Sequence, residues 1–288
     1  MKEVIIDIYN ELKRYSSDKI YLKIVQIGCG GNGGYLVPQI AQMFSLTGQM
    51  GEYLLVDPDV IESKNLRNQF FIEKDVGKSK AEVLAKRYRA AYHIPISYYD
   101  KTYIEKMEMM DFLFEIDESL REHNSVVFPI LIGCVDNGFS RKIFHEYFIS
   151  SDNLLYIDVG VDAAQLPNGK TIEQYDEWTD KEKHKYHQTG FLGQVVAGLK
   201  LKGETILDPA GTIYPNIIED DEGAPSETVC SSLVVSDPQR LNTNRMAAMA
   251  VSIYFNELFY NGILRNHVTV FHSRKGELRS HPITIDED

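Results

Sequence analysis

Residues 21–33 read Tyr21-Leu22-Lys23-Ile24-Val25-Gln26-Ile27-Gly28-Cys29-Gly30-Gly31-Asn32-Gly33: an apolar strand running directly into glycines. Gly28, Gly30 and Gly33 form G-x-G-x-x-G between a predicted strand and a helix predicted over Tyr35–Phe44, with Pro38 near its start. The first glycine allows a tight turn, the second lets a phosphate approach the backbone, and the third permits close helix packing. The N–H groups of the helix start, with the positive end of its dipole, suit an anion. Tyr53–Val56 is a second buried strand that ends on Asp57, an acid well placed for ribose hydroxyls. A glycine-rich turn that binds nothing is the plain alternative, and the strand–turn–helix context argues against it.

The alternation continues downstream. Lys80–Tyr92 is helical, Ile94–Tyr99 a strand, and residues 103–124 an acidic, helix-prone insertion or crossover. Val126–Val135 is a strand ending at Asp136-Asn137-Gly138, Phe139–Ile149 a helix and Leu154–Val159 a strand. Strands alternating with helices imply α/β architecture: a Rossmann-like, open, mainly parallel sheet with helices on both faces. Val4, Ile5, Ile8, Leu12 and Tyr15 predict an amphipathic helix before it. The texture changes near residue 160, so residues 1–160 are read as the nucleotide-binding half and 161–288 as a substrate, crossover-loop and C-terminal half. The latter holds a polar stretch over 167–190, a strand over Phe191–Leu201 and a long irregular stretch over 203–229. A helix over Asn244–Phe259 and a mixed lobe ending in a β-hairpin around Arg274-Lys275-Gly276-Glu277 follow.

Downstream residues bear on the choice of nucleotide. An NAD enzyme needs little after Asp57, yet here Asp57-Pro58-Asp59-Val60-Ile61 leads to Asn65-Leu66-Arg67-Asn68-Gln69 and then Gly77-Lys78-Ser79-Lys80. Lysines in a first helical turn oppose the macrodipole unless an anion docks there. Arg67, Lys78 and Lys80 could neutralise a triphosphate. Asp136 follows the fourth strand, at the carboxyl edge where open α/β sheets bind ligands. A carboxylate there could hold Mg²⁺, or serve as a helix N-cap.

This set of residues resembles the ThiF-like, ubiquitin-activating-type adenylyltransferases. The match rests on Gly28–Gly33, Asp57-Pro58-Asp59, Asn65-Leu66, Gln69, Gly77-Lys78-Ser79-Lys80-Ala81 and Asp136-Asn137 followed by Arg141. A weaker likeness runs through Gly193-Gln194-Val195, Cys230-Ser231-Ser232 and the helix from Asn244, in the manner of plasmid- and phage-encoded members. The resemblance implies ATP and Mg²⁺ as cofactors. Gly28, Gly30, Gly31, Gly33, Asp57, Asp59, Asn65, Gln69 and Asn137 would bind nucleotide; Arg67, Lys80, Asp136 and Cys230 would be catalytic; and Asp136 would be the metal ligand. It implies adenylation of the C-terminal Gly-Gly carboxylate of a ubiquitin-like or sulfur-carrier protein, and a homodimer. The family's arginine stands one position later than Arg67. The family's four-cysteine zinc site is not expected, because Cys29, Cys134 and Cys230 are scattered. Cys230 reads either as an acceptor thiol or as an ordinary loop cysteine. His184, His187 and Trp178 carry no assigned role.

The formal charge of −12 disfavours nucleic acid as a partner. No apolar run reaches the length of a membrane span, and the N-terminus does not read as a signal peptide. With three dispersed cysteines, a reducing cytoplasm is the expected setting. Rival readings are a non-catalytic nucleotide-binding scaffold, an NAD(P)-dependent oxidoreductase and a tRNA-modifying relative that uses adenylation.

Overall fold

The computed structural model describes residues 2–13, 18–116, 125–219, 223–226 and 238–285. The chain begins with β1 (Lys2–Glu3), β2 (Ile6–Asp7) and α1 (Ile8–Leu12), then enters the sheet at β3 (Lys19–Ile27). There follow α2 (Gly31–Thr47), β4 (Gly51–Val56), α3 (Lys80–Tyr92), β5 (Ile96–Tyr99), α4 (Met107–Leu113), β6 (Ser125–Gly133), α5 (Gly138–Ser150) and β7 (Leu154–Val161). The later part contributes α6 (Asp180–Gln188), β8 (Leu192–Leu201), β9 (Glu204–Leu207), α7 (Ala210–Ile213), α8 (Asn216–Glu219) and α9 (Leu241–Asn261). It ends with β10 (Ile263–Leu264), β11 (Asn266–His272), β12 (Glu277–Pro282) and β13 (Thr284–Ile285).

One nine-stranded sheet organises the molecule, in the order β12-β11-β8-β7-β6-β3-β4-β5 with β9 beside β8. The strands from β5 to β7 run parallel, as right-handed helical crossovers require. Past β7 every pairing is antiparallel, so the C-terminal hairpin β11–β12 extends this same sheet through β8. Along β3 the alternation of a strand sends Leu22 and Ile24 into one apolar layer and Val25 and Ile27 into the other. The first layer carries α2, α3 and α9; Phe44 of α2 meets Phe259 of α9 edge-on at 5.4 Å. The second carries α4 and α5.

Two expectations change. The helix predicted from Val4 is confined to Ile8–Leu12, opened by Asp7, whose carboxylate accepts from Asn10 N–H at 3.0 Å. Residues before it pair with the far end of the chain: β1 with β13 and β2 with β10, and Val4 N–H donates to Ile283 O at 2.9 Å. Apolar spacing cannot register a strand partner that arrives more than 250 residues later. Helix α2 opens at Gly31 instead of Tyr35, which places Pro38 inside it. Among the described residues no helix is long and apolar enough to cross a membrane.

Candidate functional site

After β3 the chain moves to β4 on one side, and after α4 it returns to β6 on the other. That reversal leaves a crevice at the carboxyl ends of β3 and β6, the place where open α/β sheets receive ligands. A cavity of about 800 Å³ opens there, walled by the glycine loop, Asp57, Lys80 and Asp136.

The glycine loop is shaped by close contacts. Gly28 has φ +99°, and a Cβ on it would lie 2.4 Å from the Cys134 carbonyl oxygen. A Cβ on Gly33 would lie 2.1 Å from Gly28 O. Gly30 has more room, its nearest neighbour being Gln69 Nε2 at 3.6 Å. Gly31, outside the G-x-G-x-x-G pattern, is crowded by side-chain ends instead of backbone: a Cβ there would meet Gln239 Oε1 at 2.3 Å and Asn244 Nδ2 at 2.5 Å. Gln26, buried in β3, donates from Nε2 to Gly28 O at 2.9 Å and Gly33 O at 3.2 Å, and Tyr53 OH donates to its Oε1. A lone amide set between Val25 and Ile27 at the apolar end of the strand is the sequence signal for this brace.

Asp57 holds the same loop from the other side. Its Oδ2 accepts from Cys29 N–H at 2.7 Å and its Oδ1 from Asp59 N–H at 2.9 Å. Each carboxylate oxygen accepts more than one hydrogen bond, so capacity for ribose hydroxyls remains. Burial pushes the Asp57 carboxyl up to about 6, with Lys80 opposing and Asp59 reinforcing the rise. Lys80 is itself buried, and its Nζ lies 2.8 Å from Asp59 Oδ2. Burial would lower its pKa, but Asp57 and Asp59 hold it above the ordinary lysine value. Burial works to raise Asp59 as well, yet Lys80 and the Tyr103 hydroxyl, which donates to Oδ1, keep it low. The strap carrying these acids is sewn to the start of α3: Lys80 N–H donates to Asp59 O at 3.0 Å and Ile61 N–H to Lys78 O at 2.9 Å.

Asn65, also buried, accepts on Oδ1 from Glu62 N–H at 2.8 Å and so closes the 3-10 turn Ser63–Arg67. Arg67 is exposed and borders the cavity. Asn68, one residue on, also borders the cavity but spends its amide on Gln239 O, to which it donates at 3.1 Å. Arg67, not Asn68, is therefore the member of this turn free to meet an anion. Gln69 borders the cavity with Oε1 buried and without a hydrogen-bond partner among the described residues.

On the opposite wall, Asn137 caps α5, its Oδ1 accepting from Ser140 N–H at 2.8 Å. Asp136 is thereby excused from capping and stands exposed at the cavity. Asn137→Ala should cost about 1 kcal/mol of stability, whereas Asp136→Ala should cost under about 0.5 kcal/mol, as for an uncommitted surface side chain. Urea unfolding of the two variants checks this, and the reverse ranking would overturn the capping assignment. Beneath Asp136, Arg141 donates from Nη2 to Val135 O at 2.9 Å and from Nε to Asp158 Oδ2 at 3.2 Å. Tyr156 OH completes that buried group at 2.7 Å from Asp158. Burial would lower the Arg141 pKa, but Asp158 holds it above its usual value. Arg141 thus pins the loop that presents Asp136.

The C-terminal half closes the cavity with Ile172, Glu173, Tyr186 and residues 238–241. Nothing in the local sequence relates these residues to a glycine loop some 140 to 210 residues earlier. Cys230 lies outside the described residues. Cys29 and Cys134 are buried free thiols whose pKa values burial raises, in keeping with packing roles. Trp178 is buried in an aromatic cluster with Tyr175 and Tyr186, and His187 Nε2 lies 2.7 Å from Tyr175 OH. No group of three or more His, Cys, Asp or Glu side chains among the described residues could hold a metal ion unaided. A lone carboxylate beside a phosphate chain does fit Mg²⁺, which keeps several waters and takes one or two protein carboxylates plus phosphate oxygens. Asp136, exposed at the cavity, offers such a carboxylate.

The ThiF family model matches residues 17–161. Among solved structures, the chain is similar to E. coli MccB crystallised with ATP, at 17% identity and TM-score 0.54 over 96% of this chain and 65% of that one. The E. coli MccB complex with AMPCPP and MccA gives 18% identity and TM-score 0.54, with 96% and 65% covered. PaaA gives 14% identity and TM-score 0.53, with 96% and 69% covered. The chain therefore spans just under two thirds of the MccB length, and these likenesses concern the fold. No curated protein sequence matches.

Proposed function

The chain belongs to the ThiF family, and on that premise we propose that it is an ATP-dependent adenylyltransferase acting on the carboxylate of a peptide or small carrier protein. The observation that carries the reading is the convergence of the glycine loop, Asp57, Arg67, Lys80 and Asp136 on one cavity at the sheet's switch point. The N–H groups at the start of α2 suit the α-phosphate, while Lys80 and Arg67 offset phosphate charge. Mg²⁺, when bound at Asp136, would neutralise phosphate oxygens and favour departure of pyrophosphate. In the step itself, a substrate carboxylate oxygen attacks the α-phosphorus. The bond from that phosphorus to the bridging oxygen breaks, and pyrophosphate leaves with the electron pair. An acyl-adenylate remains.

The described solved structures of MccB with ATP, AMPCPP and MccA support a peptide or carrier as the second reactant. We take a C-terminal Gly-Gly of a ubiquitin-like or sulfur-carrier protein as the first candidate, with the enzyme acting as a homodimer. The test is ATP–pyrophosphate exchange by the purified chain against carrier proteins and peptides with free carboxyl termini. Exchange should require the substrate, and Asp136→Asn should reduce it roughly tenfold to a hundredfold. Wild-type exchange unaffected by that substitution would remove Asp136 from the chemistry.

A second reading, a nucleotide-binding scaffold without turnover, is favoured by one observation: Lys80 is already committed to Asp59. ATP binding without exchange for any carboxylate would select it.

A further inference from the structure

We infer that Arg240 forms, with Arg67, a two-arginine clamp for the β- and γ-phosphates of the nucleotide, a reading that rests on the ATP site proposed above. Asn68 Nδ2 donates to Gln239 O at 3.1 Å across 171 residues of sequence, and Asn244 Nδ2 donates to Asn68 O at 3.3 Å. Arg67 precedes one end of the Asn68–Gln239 link and Arg240 follows the other, and both border the cavity. Ala164 N–H donates to Pro238 O at 3.0 Å, which anchors the approach to Arg240 from the far side.

The guanidinium of Arg240 is set before any ligand arrives. Its Nη2 donates to Tyr186 O at 2.5 Å and its Nε to Thr189 O at 3.3 Å. Its plane lies over Tyr186 at 4.3 Å and Phe191 at 5.0 Å from the ring centroids. All its protein acceptors are backbone carbonyls; among the described residues neither Arg240 nor Arg67 forms an ion pair with a carboxylate. Glu173 is the acid that senses Arg67: its own backbone N–H and Thr171 hold its carboxyl low, with Arg67 adding a smaller pull. A fixed guanidinium fork with its charge uncompensated matches a phosphate bidentately. The gathering of Gln239 against Gly31 keeps this fork beside the start of α2, where the rest of the phosphate chain would lie.

A simpler role must be separated from this one. Arg240 also supplies donors to the carbonyl end of α6, as does Arg274, whose Nη1 donates to His187 O at 3.0 Å and Gln188 Oε1 at 2.8 Å. Arg274 does not border the cavity, so it serves as the control.

Isothermal titration of wild type, Arg240→Ala, Arg240→Lys and Arg274→Ala with ATP, AMP and inorganic pyrophosphate tests the clamp. Arg240→Ala should weaken ATP and pyrophosphate by roughly tenfold or more, the effect of losing a charge-assisted contact. AMP should change by less than about twofold, Arg240→Lys should restore only part of the loss, and Arg274→Ala should bind all three ligands like wild type. Equal weakening of ATP and AMP, equal losses in the Arg240 and Arg274 variants, or an Arg240→Ala protein that binds ATP as wild type does would overturn the clamp. Wild type that binds neither ATP nor pyrophosphate would instead bring down the ATP reading on which it rests.

Discussion

Lys80→Ala is expected to lower ATP–pyrophosphate exchange by roughly 10²- to 10³-fold, the usual consequence of removing a fixed donor aimed at developing charge. The same change should expose a stability effect with a defined pH dependence. In the wild type, Lys80 opposes the burial-driven rise of Asp57, which stands at about 6. A carboxyl whose folded pKa exceeds its unfolded value binds protons more tightly in the folded state. Stability therefore declines as pH rises from the unfolded pKa to the folded one, and then levels off. Without Lys80 the folded pKa of Asp57 climbs further, and this decline extends toward neutrality. Asp59, held low chiefly against burial by Lys80, loses stabilisation of the opposite kind: present at higher pH and lost as pH falls. Both effects make the penalty of Lys80→Ala larger at pH 8 than at pH 5. Urea unfolding at those two values measures it. A penalty equal at both, together with full exchange activity, would show that the Asp57–Lys80–Asp59 group is neither electrostatically coupled nor catalytic.

Gly28→Ala should destabilise the fold by about 3 kcal/mol, from a left-handed backbone forced on an L residue together with overpacking. The added methyl would sit 2.4 Å from Cys134 O, at the point where β3 and β6 diverge. Neither side can yield easily. Gly28 N–H donates to Val56 O at 2.9 Å, and Cys134 N–H donates to Ile27 O at 2.8 Å, so relief would pull apart three adjacent strand ends. Affinity for a non-hydrolysable ATP analogue should fall with the stability. Gly48→Ala is the matched comparison: φ is +63° there, but nothing lies within 4 Å of the new Cβ. It should cost only about 1 kcal/mol, from conformation alone. Denaturation midpoints that place the two variants within about 0.5 kcal/mol of each other would show that the Cys134 contact does not constrain the loop.

Much of this architecture was legible because its signals are local. Lys80–Tyr92 carries a helical apolar stripe behind Ser79, whose hydroxyl accepts from Glu82 N–H at 3.2 Å, and both ends of α3 fall where the sequence puts them. The strands leading to Gly28, Asp57 and Asp136 are short apolar runs that stop at turn residues, so the carboxyl edge of the sheet could be marked in advance. The sequence puts the start of α2 late because glycines have poor intrinsic helix propensity, yet Gln26, Gln239 and Asn244 pack against the glycines of its first turn. The choice between Asp136 and Asn137 as the α5 cap was open in the sequence, since both residue types cap well. The register between Arg67 and Asn68 was open for a similar reason, and it turns on a partner 171 residues away.

The alternating α/β order, the glycine loop and the acids and bases after each strand are local properties of the chain, because period, turn chemistry and capping act over a few residues. Which of the cavity-lining groups are spent on protein partners depends on how distant segments pack. The tertiary structure commits Asn65 to a turn, Asn137 to a cap and Asn68 to Gln239, and leaves Arg67 and Asp136 uncommitted. It also brings Arg240 to the site from beyond the part that matches the family model. A hydrogen bond between distant segments depends on how the sheet and its helices pack, and no local pattern encodes that.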